Sequence, residues 1–205
     1  MHGKDKFQLL HKVALKSDAD SQPHGQYLSV YDEIDINAII QDERWSVEHL
    51  VARSHVNGRD GGDAENDPVG WIEATRTANS RRSNYPLILW PDPEGAKLMP
   101  NTLEDVDGKL HYVVPIGQRA RAARKWLFIR ATYTGITPPT KAQYVHAAEI
   151  LQLAKEYPIQ HAEQLVNEHY RRVLRWANPL LEKDRLLWLS NTDWQSLVFV
   201  QKDHS

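Results

Sequence analysis

The sequence predicts an α+β protein, with two short strands and a small helix in its first half and a helical second half. Three observations carry this. In "RWSVEHLVARS" (44–54), Trp45, Val47 and Val51 fall on one side at period two, as in a half-buried strand. Two further segments, "VGWIEAT" and "RTANSRRSN", follow a loop rich in Gly, Asn and Asp and read as a strand running into a short helix closed by Pro86. From Gln118 onward, Ala122, Trp126, Ile129 and Tyr133 recur at helical spacing until Gly135.

The remaining elements follow in order. Residues 7–17 read as a short amphipathic helix. Asp107–Gly108 suits a tight turn before the strand "KLHYVV". "TKAQ" at 140–143 has the form of a capping box, opening a helix with Ala147, Ile150, Leu151 and Ala154 as its buried stripe. Pro158 divides it from another helix at 159–176, and Asn178–Pro179 caps a last one. At 205 residues the chain is expected to form one domain over 1–205, with a helical region at about 118–190.

Composition narrows the function classes. The chain has no cysteine, which excludes disulfides, zinc knuckles and thiol nucleophiles. No apolar run reaches the roughly 20 residues of a membrane span, and the first residues hold no uninterrupted apolar stretch of the signal-peptide kind. An intracellular protein with no membrane partner is expected. Net charge is −2, unevenly spread: residues 1–70 hold seven basic and thirteen acidic side chains, residues 71–143 eleven and six. Pro115 to Gln143 carries Arg119, Arg121, Arg124, Lys125, Arg130 and Lys141 with no acid, which suggests either an anion-binding face or a solvated helix surface.

Within the first strand, the slot between Val47 and Val51 holds His49, beside Glu48. On the small helix Arg76, Asn79 and Arg82 stand three apart and can share a face. A strand–strand–helix unit can therefore gather a carboxylate, an amide oxygen, an imidazole and guanidinium groups. These suit phosphodiester hydrolysis. Mg²⁺ takes oxygen ligands and keeps several waters, so the Glu48 carboxylate and Asn79 carbonyl suffice to hold it. A neutral imidazole, with an unperturbed pKa of about 6.5, can take a proton from water, and an arginine holds a phosphate through paired N–H groups. In an ideal strand Glu48 and His49 point to opposite faces, so the site requires the strand to end, bend or bulge there.

The segments "WSVEHLVARS" and "DPVGWIEATRTANSRRSN" resemble the endonuclease I family of nonspecific nucleases, which carry a ββα-metal (His-Me) finger. The first matches its Trp-x-x-Glu-His. The second matches its strand-opening Asp and, twelve positions on, Asn-x-x-Arg-x-Asn, here Asp67, Asn79, Arg82 and Asn84. "RAARKWLFIRATY" matches the family's Ala-Arg and aromatic helix at Arg124, Arg130 and Tyr133, and "WANPLLEKDR" fits more loosely. The resemblance implies a finger core at about 44–86 and a Mg²⁺-dependent endonuclease (Mn²⁺ or Ca²⁺ as alternatives) acting on DNA, and on RNA as well, with little sequence preference and 5′-phosphate products. His49 would be the general base, Glu48 and Asn79 the metal ligands, and Arg82 and the loop's Arg59 the phosphate-stabilising arginines. Arg53, Arg76, Arg81, Asn84, Arg119, Arg121, Arg124 and Lys125 would contact nucleic acid, and Glu65 falls near a further acidic position. The chain departs from the family at Ala52, where a Pro is expected, at Val69–Gly70 in place of His-Asn, and in lacking a C-terminal Gln-x-Asn-x-Asn-Pro motif. Those departures keep two other readings open: a nuclease-like protein that binds nucleic acid without turnover, and an interaction domain with a buried His49.

Overall fold

The computed structural model describes residues 28–36, 38, 45–56, 64–91, 93, 96–99, 101–104, 108–133, 135–156, 159, 161–174 and 198. The expected helices at 7–17 and after Pro179, and the turn residue Asp107, lie outside them.

The chain is α+β. β1 (Trp45–His49) pairs antiparallel with β2 (Trp71–Thr75) in an unbroken register, Trp45 opposite Thr75 through His49 opposite Trp71. β2 passes without a loop into helix α1 (Arg76–Arg82), because Thr75 is at once the last strand residue and the N-cap. Its Oγ1 accepts from the Ala78 amide at 3.1 Å, as a capping threonine does, and donates to the Asp32 carboxylate, which also takes the Ser29 hydroxyl. The helix stops at Ser83, whose φ of 52° lies in the left-handed region. That is three residues earlier than Pro86 suggested. With so short a junction, α1 lies against both strands.

A four-stranded sheet follows, formed by β3 (Leu87–Ile88), β4 (Ala96–Met99), β5 (Thr102–Glu104) and β6 (Leu110–Val113) in the order β3-β6-β5-β4. Only β6 was expected. β3 runs parallel to β6 and the other pairs are antiparallel.

Helix α2 (Ile116–Thr132) is the centre of the molecule; every residue from Gln118 to Ile129 is buried. Its chain crosses the turn before β2 closely enough that a Cβ on Gly70 would meet Ile129 Cγ1 at 2.8 Å. Then come α3 (Lys141–Val145) and α4 (Ala147–Glu156), a single predicted helix interrupted at His146, and α5 (His161–Leu174). The capping box at Thr140 and Gln143 is formed in both directions.

Helix α2 buries its cations along with its apolar residues. Arg119 donates to the carbonyls of Val114, Trp90 and Pro91, and Arg121 to Leu28 O at 2.6 Å. Lys125 Nζ reaches Val69 O at 3.2 Å and Trp71 O at 3.0 Å, and burial pushes its ammonium below its usual pKa. Arg124 forms a two-pronged pair with Glu163 of α5, at 3.3 and 2.6 Å, with both side chains almost wholly buried.

Removing one member of such a pair strands a charge in the interior. Glu163→Gln should lower the unfolding free energy by about 3–5 kcal/mol in urea titration. A double change of Arg124 and Glu163 to apolar residues should recover most of that loss.

Candidate active site on the β1–β2–α1 unit

Residues directly opposite in an antiparallel pair share a face, so Ser46, Glu48, Ile72 and Ala74 line one side of the two strands. Val47, His49, Trp71 and Glu73 line the other. The first face meets α1. Asn79 Nδ2 donates to Ser46 Oγ at 2.9 Å, and one turn later Arg82 Nη1 donates to Glu48 Oε1 at 2.6 Å. The three-residue step on the helix thus matches the two-residue step on the strand. The second face meets α2, where Arg121 Nη2 lies 3.9 Å from Glu73 Oε2.

Arg82 is 2% exposed and both terminal nitrogens of its guanidinium donate to protein oxygens. Besides Glu48, Nη1 donates to His49 O at 3.3 Å and Ser83 O at 3.2 Å, and Nη2 to Leu50 O at 2.9 Å. In this position it fixes the end of β1 to the end of α1, instead of presenting a fork at the surface. Tyr31 OH adds a long donation to Glu48 Oε1, 3.4 Å.

Burial pushes the Glu48 carboxyl up from an ordinary 4.5 to about 7. The guanidinium of Arg82 pulls it down, aided by hydrogen bonds from His49 N–H, Tyr31 and Arg82 itself, but desolvation is the larger effect. Burial likewise raises the Tyr31 phenol well above its usual value.

His49 is the last residue of β1 and is 9% exposed. Its ring packs edge-on against its cross-strand partner Trp71, with centroids 5.5 Å apart. The strand therefore ends at the Glu-His dipeptide, as the site requires, but no bulge separates the two, and their side chains leave from opposite faces.

Both proposed metal ligands, Glu48 and Asn79, lie on the α1 face. Glu48 Oε1 is engaged by Arg82 and Tyr31 and Asn79 Nδ2 by Ser46; among the described residues no side chain donates to Glu48 Oε2 or Asn79 Oδ1. An oxygen pair of that kind fits a hard cation that keeps its waters. Among the described residues, no cluster of three or more His, Asp and Glu side chains offers a fuller ligand set.

The expected nucleic-acid contacts divide sharply. Arg76, Arg81 and Asn84 are exposed on and just after α1. Arg76 and Arg81 border an open cleft of about 640 Å³ floored by Tyr31, Asp32 and Tyr112. Arg53 is exposed and ion-paired with Glu65. By contrast Arg119, Arg121, Arg124 and Lys125, expected as a phosphate track, lie inside the molecule at 6% exposure or less. A helix packed on all sides has no solvated face on which to carry them. Arg59 lies outside the described residues.

Two site residues were not anticipated. Ser46 was legible, since it sits two residues before Glu48 on the same strand face. Tyr31 was not, because no local pattern links it to a strand 17 residues later.

No protein-family model matches the chain, and no curated protein matches it. Among the described residues no helix is long and apolar enough to cross a membrane.

A carboxyl that keeps its proton longer in the folded state stabilises that state below its unfolded pKa and ceases to as pH rises through the folded one. Stability should therefore fall between about pH 4.5 and pH 7, by up to about 3 kcal/mol from Glu48. Glu48→Gln should flatten that interval when denaturant midpoints are compared at pH 5 and pH 7.5.

Proposed function

We propose that the protein is a metal-dependent endonuclease of the endonuclease I type, hydrolysing phosphodiester bonds of DNA with little sequence specificity, RNA being the alternative substrate. One observation carries the reading. The paired contacts Ser46–Asn79 and Glu48–Arg82 set a carboxylate and an amide oxygen along the same strand–helix seam, with an imidazole next in sequence at the strand's end.

Glu48 and Asn79 would hold a single Mg²⁺ through Oε2 and Oδ1, and the ion would stabilise negative charge on a phosphate oxygen. Arg82 orients Glu48 by fixing Oε1, so the other oxygen has a set direction. Ser46 does the same for Asn79 by accepting one of its amide protons. His49 takes the proton of the attacking water, its ring held by the edge-on contact with Trp71. Phosphates on either side of the scissile bond lie along the exposed Arg76, Arg81 and Asn84, contacts that position a strand without reading bases. With Arg82 occupied inside, the phosphate-facing cations of this reading are those of the α1 surface.

Binding without turnover is the second reading, favoured by the depth of Glu48 and by the opposite faces of Glu48 and His49. It keeps the Arg76–Arg81 surface and drops the chemistry.

A plasmid assay separates the two. The purified chain should nick supercoiled DNA in Mg²⁺ and stop in EDTA. His49→Ala should lose nearly all activity, by about 10²–10⁴-fold as for a general base, with unchanged circular dichroism. Salt-sensitive DNA binding with no cleavage under any divalent ion selects the second reading, and a fully active His49→Ala protein removes His49 as the base.

Asn79→Ala should shift the Mg²⁺ dependence before it shifts the maximal rate, since it removes a ligand and not a proton acceptor. A titration of nicking rate against Mg²⁺ checks this.

A further inference from the structure

Arg82 has a second neighbourhood, away from Glu48. With His55, Lys109, Arg130, Trp126 and Thr140 it lines a small cavity of about 30 Å³, whose lining includes four basic residues and, among the described residues, no carboxylate. The segments around it are tied together: Val56 bridges Ile136, and Thr137 N–H donates to His55 O at 2.8 Å. Arg130 lies over the Trp126 ring, 4.4 Å from its centroid, and donates Nη1 to Thr137 O at 2.8 Å.

Two donors are left over. The Nε–H groups of Arg82 and Arg130 are sealed from solvent and have no acceptor among the described residues. Such groups are costly in an interior, and doubly so on charged side chains. The surrounding field agrees: the His55 imidazole is pushed below its usual range by burial, and then by Arg82, Arg130 and Lys109, all cations. Glu48 answers Arg82 from outside the cavity, and among the described residues no acid side chain in the lining answers Arg130.

We infer that this cavity binds one small oxyanion of the phosphate type. Oxyanions present several acceptors to arginine N–H groups at once, and the space is too small for a base or sugar. Arg82 and Arg130 hold the anion from below, Thr140 borders it, and the exposed Lys109 with the half-buried His55 stands at the opening. The inference does not rest on the hydrolase reading, because it concerns a different set of atoms and a ligand that is not cleaved.

The test is thermal denaturation and calorimetric titration of the full chain with inorganic phosphate, against chloride at equal ionic strength. Phosphate should raise the melting midpoint along a saturating curve, as a site-bound ligand does. Arg130→Met should weaken binding by about ten-fold, the loss of one charged contact. Lys109→Ser, at an exposed position that leaves the fold intact, should weaken it by about three-fold. A 5′-mononucleotide run in parallel identifies the source: a tighter fit than phosphate assigns the site to a nucleotide end, an equal or weaker one to free phosphate. A shift no larger than that of chloride, one that climbs without a plateau as general salt exclusion does, or equal binding by wild type and Lys109→Ser would overturn the proposal.

Discussion

A guanidinium or ammonium taken out of water needs oxygen acceptors, and five buried cations among the described residues each find at least one in the chain. Arg82, Arg119, Arg121, Arg124 and Lys125 are all buried. Each reaches across to a different segment: the end of β1, Trp90 two residues past β3, the residue before the Ser29 turn, helix α5, and the turn into β2. Most acceptors are carbonyls at the ends of elements, where the backbone has no regular partner. The cations therefore complete the hydrogen bonding of chain ends that close packing would otherwise leave bare. Apolar burial supplies the driving force, but these contacts decide which ends meet.

Glu48 shows the tension in that arrangement. The contact that positions it, Arg82, also draws it into a place where its ionised form is poorly solvated, and desolvation wins. A carboxyl held near neutrality by burial keeps its proton into a pH range where an exposed carboxylate has lost it. The same guanidinium faces the small basic cavity on its other side. Arg82 is thus the common member of two polar neighbourhoods, which the α1 helix alone would not have brought together.

What could be read from the sequence was what is local. β1 announced itself by alternation, β2 by its short apolar run and α1 as the segment ahead of Pro86, and the Thr140–Gln143 box formed as its four residues specify. The segment 87–104 was harder, because β3, β4 and β5 are two to four residues long and gain their stability from non-local pairing. Helix α2 misled for a physical reason: its basic residues follow the pattern of a solvated or phosphate-binding face, and nothing in the spacing reveals that carbonyls and Glu163 lie opposite them. At the site, the Ser46–Asn79 and Glu48–Arg82 matches follow from strand and helix periods. The Tyr31 contact and the gathering of His55, Lys109 and Arg130 depend on tertiary approach alone.

The capping box at Thr140 has one more implication. Its side chains also serve the sheet: Thr140 Oγ1 hydrogen bonds with His111 Nε2 at 2.9 Å, and Gln143 Nε2 donates to Leu87 O at 2.9 Å. A motif that ordinarily starts a helix from within itself is here clasped by β3 and β6. The onset of α3 and the joining of those two strands are consequently one cooperative event, so amide exchange at the helix start would report on whether the parallel pair is closed.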